Sequence, residues 1–544
     1  MSSRISHGDS ITAENGKSGK NAVLVGAGIF SSRVLGIVRE RVFAYYFGGS
    51  DAADAFKAAL KIPNLLQNLF GEGALSASFI PVYAGLLGAK NKEEADRTAR
   101  AVGSILAVAM ALLVLAGILA TPLLIGLIAP GFTGEKREAT IGMVRILFPG
   151  VGILVLSAWC LGVLNSHRKF FLPYAAPVLW NLSIIGALAG FGGRLQSYPL
   201  AEIAAWGAVT GSLMQFGVQL PFVLRLIGRF RFQLTTASEH IRAVIKNFIP
   251  GVATRGVNQI SGYIDTIIAS FLPMGSVAAM SYAQTIYLLP VSLFGMSIAN
   301  AELPEMASRT GTLKTIAGPL RERLEKAMRR VAFFVVPSVA AFLALGDSIV
   351  NLLYQTGKFT RADGLYVWMA LAGSTVGLLA ATLGRLYMSA FWALRDTRTP
   401  FRFAALRVAL TAGLGWLLAF PVPAWLGLPA RAGLIGLTVS AGIAAWIEFA
   451  LLRAALNRRI GRTGLPLAVL ARLWGAALCA AGAAFALKQW TQAMPPLAAG
   501  SIVLALFGAV YFTAAVVLKL PEAAHIIGAV RTRIRFRASG KNPK

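Results

Sequence analysis

The stretch Val102–Ile128 reads VGSILAVAMALLVLAGILATPLLIGLI, 27 residues without one charged side chain. A helix of this length rises about 40 Å at roughly 1.5 Å per residue, which is enough to cross the roughly 30 Å hydrocarbon core of a bilayer. The core of a soluble domain does not need an apolar run of such length. The stretch therefore predicts a transmembrane helix.

Similar apolar runs recur along the chain and are separated by short basic loops. Apolar residues make up 56% of the sequence, charged residues only 14%, and the mean hydropathy is +0.65. These values lie outside the range of soluble globular proteins. We predict an all-α polytopic membrane protein with about fourteen transmembrane helices, at residues 22–48, 53–87, 102–128, 139–164, 172–190, 201–224, 247–271, 277–303, 331–353, 364–389, 403–420, 432–452, 466–484 and 497–518.

The distribution of charge predicts the orientation of these spans. The net charge is +29. With the N-terminus in the cytoplasm, the cytoplasmic segments hold 35 of the 52 Lys and Arg residues, the outer loops hold 7, and the spans hold 10. This fivefold bias follows the positive-inside rule and predicts that both termini are cytoplasmic. Because topology and anionic inner-leaflet lipid explain the basic charge, we do not expect a nucleic-acid partner.

The sequence argues against a cleaved signal peptide, a disulfide framework and a four-cysteine metal site. The first 20 residues are polar, so we expect no cleaved signal peptide. The two cysteines, Cys160 and Cys479, both lie in apolar runs, and two are too few for a disulfide framework or a four-cysteine metal site.

A weak internal repeat predicts two lobes. Gly49–Ala53 (GSDAA) recurs 226 residues later as Gly275–Ala279 (GSVAA), and each copy opens a span that contains a proline, Pro63 or Pro290. Six spans per copy would insert both halves in the same sense, as in transporters built from parallel repeats. We predict an N-terminal tail (1–21), an N-lobe (22–224), a C-lobe (225–452) with a cytoplasmic loop (307–330), two further helices (466–518) and a basic tail (519–544).

Two basic segments are predicted to lie on the membrane surface. Leu320–Arg330 (LRERLEKAMRR) has the spacing of a basic amphipathic helix, and Arg531–Arg537 (RTRIRFR) is similarly basic. Such helices bury an apolar face at the headgroup boundary.

The first two spans contain many charged residues. Arg41, Asp54 and Lys57 are close enough to span ends to reach the interface, but Arg33 is about 16 Å inside its span. An arginine at that depth costs about 2.5–3.5 kcal/mol unless it has a partner or faces a cavity. Two interpretations remain open, ion pairs that fix helix packing or a cationic cavity for an anionic headgroup, and we favour the cavity.

Helix-breaking residues in spans two and eight favour the cavity as well. Span two contains Pro63, Gly71, Gly73 and Pro81, and span eight contains Pro290 and Gly295. Backbone groups freed from a helix at membrane depth are tolerated where they line a cavity or find neighbouring partners.

Spans seven and eleven add further charges. Arg255 and Asp265 lie in span seven, and Asp396 precedes span eleven in RDTRTP (Arg395–Pro400). A carboxylate beside hydroxyl groups can coordinate Na⁺ or carry a proton. Asp396 has an equally good alternative role as the N-cap of a cytoplasmic helix start.

Several motifs resemble the MurJ (MviN) family of lipid II flippases, in the superfamily of multidrug, oligosaccharidyl-lipid and polysaccharide exporters. The matching stretches follow in family order over roughly residues 22–460: FSSRVLGIVRE (Phe30–Glu40), DAFKAALKIPNLL (Asp54–Leu66), GEGALSASFIPVYA (Gly71–Ala84), APGF (Ala129–Phe132), LNSHRKFFLPYAAPVLWN (Leu164–Asn181), DTIIASFL (Asp265–Leu272), YQTGKFT (Tyr354–Thr360) and FWALRDTRTP (Phe391–Pro400). Asn181 lies in one of them without a clear role.

The resemblance implies roles for particular residues. Arg33 and Arg39 would bind the lipid diphosphate, with Ser32 and Lys61 beside them. Asp265 and Asp396 would form the family's sodium site. The implied lining or gating residues of the cavity are Glu40, Asp54, Pro63, Asn64 and Glu72.

The implied function is export of lipid II, an undecaprenyl-diphosphate-linked peptidoglycan precursor, from the inner to the outer leaflet of the bacterial cytoplasmic membrane. We therefore expect a transporter that works by alternating access, not an enzyme. Its partners would be the lipid-linked anionic saccharide, membrane lipid and the cell-wall synthesis machinery. No organic cofactor is expected, and Na⁺ or H⁺ would be the coupling ion.

This chain departs from the family pattern at three positions. Arginines are common in the family where this chain has Gln67, Asn68 and Thr285. We interpret Arg255 as a replacement for the arginine missing at Thr285. The departures leave open a flippase for another undecaprenyl-diphosphate-linked glycan, of the O-antigen or capsule type. A drug/cation antiporter is a weaker alternative because the first span is net positive, and a membrane glycosyltransferase would need a larger outer loop.

Overall fold

The structure is a computed structural model that describes residues 28–235, 237–308, 313–524 and 527–528. Within these ranges, the description does not include the side chains of Glu72, 249–251, 253–261 and 313–314. Over these ranges the secondary structure is helical, with no strand. The all-α class predicted from the sequence is thereby confirmed.

The helices are numbered in chain order. In the first half of the chain they are α1 (28–47), α2 (Asp51–Phe70), α3 (Glu72–Gly88), α4 (Lys92–Ile128), α5 (Gly134–Ser166), α6 (Phe171–Ala175), α7 (Pro177–Phe191), α8 (Ser197–Ile227) and α9 (Glu239–Ser270). In the second half they are α10 (Ser276–Pro290), a π-helical turn (Val291–Met296), α11 (Ser297–Ala307), α12 (Leu313–Ala344), α13 (Gly346–Tyr354), α14 (Arg361–Thr375), α15 (Leu378–Ala393), α16 (Arg398–Ala419), α17 (Pro421–Trp425), a 3₁₀ turn (Ala430–Ala432), α18 (Gly433–Ile460), α19 (Leu467–Trp490) and α20 (Pro496–Val517).

Eleven of the helical segments within the described ranges are long and apolar enough to cross a membrane. The number is twelve if α14 and α15, which meet at a 42° bend, form one span. Helices α1 and α9 carry the first and seventh predicted spans and are not among them. The polytopic architecture is confirmed, and the count of fourteen stays a prediction.

The chain divides into two compact units. Unit 1 contains the residues up to Val277 together with Thr356–Lys358, and unit 2 contains Ala278–Gln355 and everything from Phe359 onward. Helix α9 belongs to unit 1, where it packs against α2, α3 and α4. The first unit therefore extends beyond residue 224, the end that the repeat predicted for the N-lobe.

Helix α5 is the central helix of unit 1. It packs against α2, α3, α4 and α8, and most of its apolar segment is buried. Trp159 of α5 is 2% exposed and donates its indole N–H to the Ala99 carbonyl of α4 at 3.1 Å. Phe79 and Tyr83 of α3 stack beside it in the same core.

Two glycines set the distance between α7 and α8. A Cβ at Gly207 would lie 2.8 Å from Ala187 Cβ, and a Cβ at Gly211 would lie 2.8 Å from Trp180 Cα. A glycine pair spaced by four residues lets two membrane helices approach until their backbones touch. This close packing determines where the residues around Trp180 lie.

Spans two and eight are interrupted, as predicted. Gly71 separates α2 from α3, and a Cβ there would collide with the Gln67 carbonyl oxygen. Pro290 ends α10, and the helix continues as the π-helical turn Val291–Met296. Within that turn a Cβ at Gly295 would collide with Thr382 Cγ2, so the turn packs directly on α15.

The predicted surface helix Leu320–Arg330 is a continuous part of α12. Its apolar stripe, Leu320, Leu324 and Met328, is at most 2% exposed, so protein rather than lipid headgroups covers it. The membrane-surface prediction for this segment was wrong because a buried stripe and a lipid-facing stripe have the same spacing in sequence. Arg531–Arg537 lies outside the described residues.

Candidate functional site

Unit 1 contains a compact cluster of charged side chains between α1 and α2. Glu40 accepts hydrogen bonds from Arg39 at 2.7 Å and from Lys57 at 2.5 Å. Glu40 and Lys57 are 6% and 5% exposed. Two cations share one carboxylate, so the cluster has a formal charge of +1. Buried charges of this kind are tolerated when they are paired and hydrogen-bonded.

Helix α7 completes this cluster. Asn181 Oδ1 accepts from Arg39 Nη1 at 3.0 Å, and the Trp180 ring lies under the guanidinium with 4.9 Å between Cζ and the ring centroid. The Asn181 amide in turn donates to the carbonyls of Pro177 and Ser32, at 3.2 and 3.4 Å. Asn181, whose role was unclear from the sequence, therefore fixes the orientation of Arg39.

The cluster leaves Arg39 able to bind an anion. A guanidinium carries five N–H donors, and the hydrogen bonds to Asn181 and Glu40 come from only Nη1 and Nη2. The Arg39 side chain is 21% exposed, so part of it is accessible. Arg33 is exposed on the same helix. The arrangement supplies positive charge and planar donors, which suit phosphate oxygens.

Two residues predicted to reach the interface are buried instead. Lys57 pairs with Glu40. Asp54 is 1% exposed and accepts from Lys136 of α5 at 2.8 Å and from the Gly275 N–H at 2.8 Å. The snorkelling prediction was wrong because a charge near a span end can find a partner on a neighbouring helix, which sequence position does not reveal. Asp54 thus connects three segments of unit 1.

The remaining predicted site residues of unit 1 are more scattered. The Lys61 side chain is half-buried and interacts electrostatically with Asp265, and the Lys61 carbonyl accepts from the Tyr263 hydroxyl at 2.8 Å. Pro63 is buried within α2, and Asn64 next to it is exposed. The side chains of Glu72 and Arg255 lie outside the described residues, so their predicted roles stay predictions.

Asp396 in unit 2 has the geometry of a helix cap. Its Oδ1 accepts from the backbone N–H groups of Arg398 and Thr399, both at 3.0 Å, and its Oδ2 accepts from the Thr399 hydroxyl and Arg459. Partial burial alone would raise the pKa of Asp396, but the hydrogen bonds from Thr399 and Arg459 outweigh it and lower the pKa to about 2. The capping alternative accounts for these contacts, and a cation site shared with Asp265 stays a prediction.

Four polar residues that interact in unit 2 were not predicted from the sequence as site residues. Arg407 of α16 pairs with Glu448 of α18 at 3.1 Å, and Arg385 of α15 and Tyr287 of α10 interact electrostatically with Arg407. Depth within an apolar run, the signal that identified Arg33, does not identify Arg385 and Glu448, because each lies only four residues from the end of its predicted span. No group of three metal-ligating His, Cys, Asp or Glu side chains occurs in the described parts of the chain.

The helical spans and the charged groups buried among them define an integral membrane protein of transporter type. The family model described as lipid II flippase MurJ matches residues 43–508. The chain belongs to the lipid II flippase MurJ family.

Individual relatives support this assignment. The chain is 32% identical to a probable lipid II flippase MurJ of Rhizobium meliloti (strain 1021) over 461 residues, which cover 84% of this chain and 83% of the relative. It is 30% identical to the lipid II flippase MurJ of Burkholderia cenocepacia over 500 residues, covering 88% and 93%.

Solved structures share the fold. A lipid II flippase MurJ in an inward closed conformation matches with a TM-score of 0.73 at 24% identity, covering 91% of this chain and 98% of that one. An inward-facing MATE family multidrug resistance transporter of the MOP superfamily matches with a TM-score of 0.60 at 17% identity, covering 78% and 95%.

Proposed function

We propose that this protein flips lipid II from the inner to the outer leaflet of the bacterial cytoplasmic membrane, where the headgroup is used for peptidoglycan synthesis. Membership of the lipid II flippase MurJ family carries the proposal. The buried basic cluster of unit 1 is consistent with a ligand that bears a diphosphate. The enzymes that polymerise the cell wall outside the membrane are the corresponding class of partner.

Arg39 and Arg33 bind the diphosphate in this proposal. Asn181, Glu40 and Trp180 hold the Arg39 guanidinium from three sides, so little side-chain freedom is lost when a phosphate binds. A guanidinium can bind phosphate through two parallel hydrogen bonds, which an ammonium cannot do.

Transport proceeds by alternating access, and the membrane potential contributes to it. The diphosphate carries about two negative charges, and the cell interior is negative. Moving each charge outward through 100 mV is favourable by about 2.3 kcal/mol. An inward-moving cation, Na⁺ or H⁺, resets the empty carrier, and Asp265 beside Lys61 is the candidate carboxylate.

A second candidate substrate is another undecaprenyl-diphosphate-linked glycan. Thr285, at a position where the family commonly has arginine, donates its hydroxyl to the Ser281 carbonyl at 3.0 Å and brings no positive charge. Gln67 and Asn68 likewise bring none. The headgroup preference of this chain therefore depends on other side chains.

The test is complementation of a bacterial strain depleted of its lipid II flippase, combined with an assay for labelled lipid II at the outer leaflet. We expect the wild type to restore growth and outer-leaflet lipid II, and Arg39→Gln to lose both at normal protein levels. Arg402→Gln is the matched control, because Arg402 is exposed and lies in unit 2, outside the charged cluster of unit 1.

Two comparisons complete the experiment. Replacing Na⁺ by K⁺ in the flipping assay should slow wild-type turnover if Na⁺ is the coupling ion, and Asp265→Asn should then remove the difference. Failure to restore growth and outer-leaflet lipid II, together with export of a labelled O-antigen-type lipid in the same assay, would assign the protein to the second candidate substrate. Normal flipping by Arg39→Gln would contradict the role of the unit 1 cluster.

A further inference from the structure

Unit 2 contains a polar cluster formed by α10, α15, α16 and α18. Its only ion pair among the described residues joins Arg407 Nη1 to Glu448 Oε2 at 3.1 Å. Glu448 is 6% exposed, so its carboxylate is buried within the helices. The pair explains how Glu448 is accommodated, because a buried carboxylate needs a charged and hydrogen-bonded partner.

Positive charge in this cluster exceeds what Glu448 can neutralise. Arg385 interacts electrostatically with both Arg407 and Glu448. Across the described ranges its guanidinium makes no hydrogen bond or ion pair, although the side chain is largely enclosed. The cluster thus contains two guanidinium groups and one carboxylate, and its formal charge is +1. An arginine enclosed among membrane helices normally pairs or faces a polar cavity.

Several hydrogen-bonding groups in the cluster are also unused. Arg407 Nε and Thr411 Oγ1 are buried without a partner in the described part of the molecule, and Thr411 is 1% exposed. Thr411 follows Arg407 by one helical turn, so both side chains lie on one face of α16. Thr375 and Thr382, by contrast, donate to the carbonyl four residues earlier.

A purely structural role does not account for these groups. The Arg407–Glu448 pair forms without Arg385, and leaving a buried donor unsatisfied is unfavourable. The Tyr287 hydroxyl adds a fourth group, since Tyr287 interacts electrostatically with Arg385 and Arg407. What the cluster lacks is an acceptor with several oxygens and at least one negative charge.

We propose that Arg385, Arg407, Thr411 and Tyr287 form an anion site in unit 2 that binds a phosphoryl group. Two guanidinium forks and two hydroxyls match the several oxygens of a phosphate. The membrane offers two sources of this group, an isoprenoid diphosphate and the headgroup of an anionic phospholipid. The diphosphate source rests on the proposed function. In either case unit 2 has its own positive charge, and Arg255 is not required to replace the arginine missing at Thr285.

The experiment uses the purified full-length protein in phosphatidylcholine nanodiscs. Farnesyl diphosphate is titrated as the water-soluble isoprenoid diphosphate, and in a second arm phosphatidylglycerol replaces part of the phosphatidylcholine while the thermal midpoint is followed. Arg385→Gln is the main variant because it leaves no carboxylate without its partner. Arg385→Lys keeps the charge, and Arg402→Gln, on the exposed side of α16, is the matched control.

We expect Arg385→Gln to weaken farnesyl diphosphate binding about tenfold, or to abolish the stabilisation by phosphatidylglycerol. Arg385→Lys should retain part of the effect, and Arg402→Gln should behave as the wild type. Weakening in the first arm identifies the diphosphate as ligand, and weakening in the second arm alone identifies the lipid headgroup. Unchanged responses of a folded Arg385→Gln protein in both arms would overturn the site.

Arg39→Gln is measured in parallel to separate this site from the unit 1 cluster. One outcome is that Arg39→Gln weakens farnesyl diphosphate binding while Arg385→Gln changes neither this binding nor the stabilisation by phosphatidylglycerol. That result refutes the unit 2 site and leaves the proposed function standing. If Arg39→Gln has no effect and Arg385→Gln does, the unit 2 site stands and the binding role of unit 1 fails.

Discussion

Glu40 is the residue on which the basic cluster of unit 1 depends. It lies between Arg39 and Lys57, and its carboxylate accepts from both. Without it the two cations would repel each other in a site where little water screens them. The Arg39 guanidinium would then lose one of the contacts that fix its plane. A gating role for Glu40, expected from the resemblance, requires breaking these two pairs.

The contribution of Asp396 to stability should depend on pH. We expect Asp396→Ala to lower the free energy of unfolding by about 1 kcal/mol at neutral pH, because the first N–H groups of α16 lose their acceptor. The pKa of about 2 in the folded protein lies below the ordinary value of 3.8, so this contribution is complete above roughly pH 4 and is lost as the pH falls toward 2.

Thermal unfolding in detergent between pH 8 and pH 3 measures the effect. The difference in thermal midpoint between wild type and Asp396→Ala should be constant above pH 5 and should decrease below pH 4. Asp396→Asn keeps a neutral acceptor, so its difference from Asp396→Ala should not change with pH. If the thermal midpoints of wild type and Asp396→Ala differ by the same amount at pH 3 and pH 7, the ionised carboxylate of Asp396 does not cap α16.

At the scale of elements, the contact between α7 and α8 determines where Trp180 and Asn181 meet Arg39. Gly207 and Gly211 permit this contact because neither has a side chain to separate the two backbones. The position of the charged cluster therefore depends on glycines that carry no charge themselves.

We expect Gly211→Val to destabilise the protein by about 1–3 kcal/mol, because the added side chain collides with the Trp180 backbone. Displacement of α7 should also reduce lipid II flipping, since Asn181 moves with it. Gly217→Val on the same helix is the control, because a Cβ there has nothing within 4 Å. Thermal midpoint and flipping rate are the measurements, and equal values for both variants would refute the close-packing argument.

At the scale of the whole molecule, the distribution of Lys and Arg predicts the direction of insertion. The α4–α5 loop should face the outside, and the α3–α4 loop should face the cytoplasm. Both loops have exposed residues suitable for labelling, Gly134 and Lys90. Cys479 is exposed and must be replaced by serine first, whereas Cys160 is buried.

Single cysteines at Gly134 and Lys90, treated in intact cells with a thiol reagent that does not cross the membrane, test the orientation. We expect labelling of Gly134→Cys and none of Lys90→Cys, because only the outer loop is accessible. Permeabilised cells are the control, in which both positions should react. Labelling of Lys90→Cys alone in intact cells would reverse the topology.

The sequence by itself determined the membrane class, most of the spans and the breaks in spans two and eight. These properties follow from local quantities, namely the length of an apolar run and the position of Gly and Pro. Motifs such as FSSRVLGIVRE (Phe30–Glu40) also indicated the family. Arg39, Glu40 and Asn181 were placed in such motifs, and α1 and α7 bring them together although Arg39 and Asn181 are 142 residues apart.

Only the tertiary structure decided which charges pair and which faces are covered. Lys57 and Asp54 are buried because partners lie on other helices, and the stripe of α12 is covered by protein rather than lipid. Arg407 pairs with Glu448, and Arg385 interacts electrostatically with both, although the three residues lie on three helices and Arg385 and Glu448 are 63 residues apart. An ion pair between helices depends on how the helices pack, and the order of residues along the chain does not specify that packing.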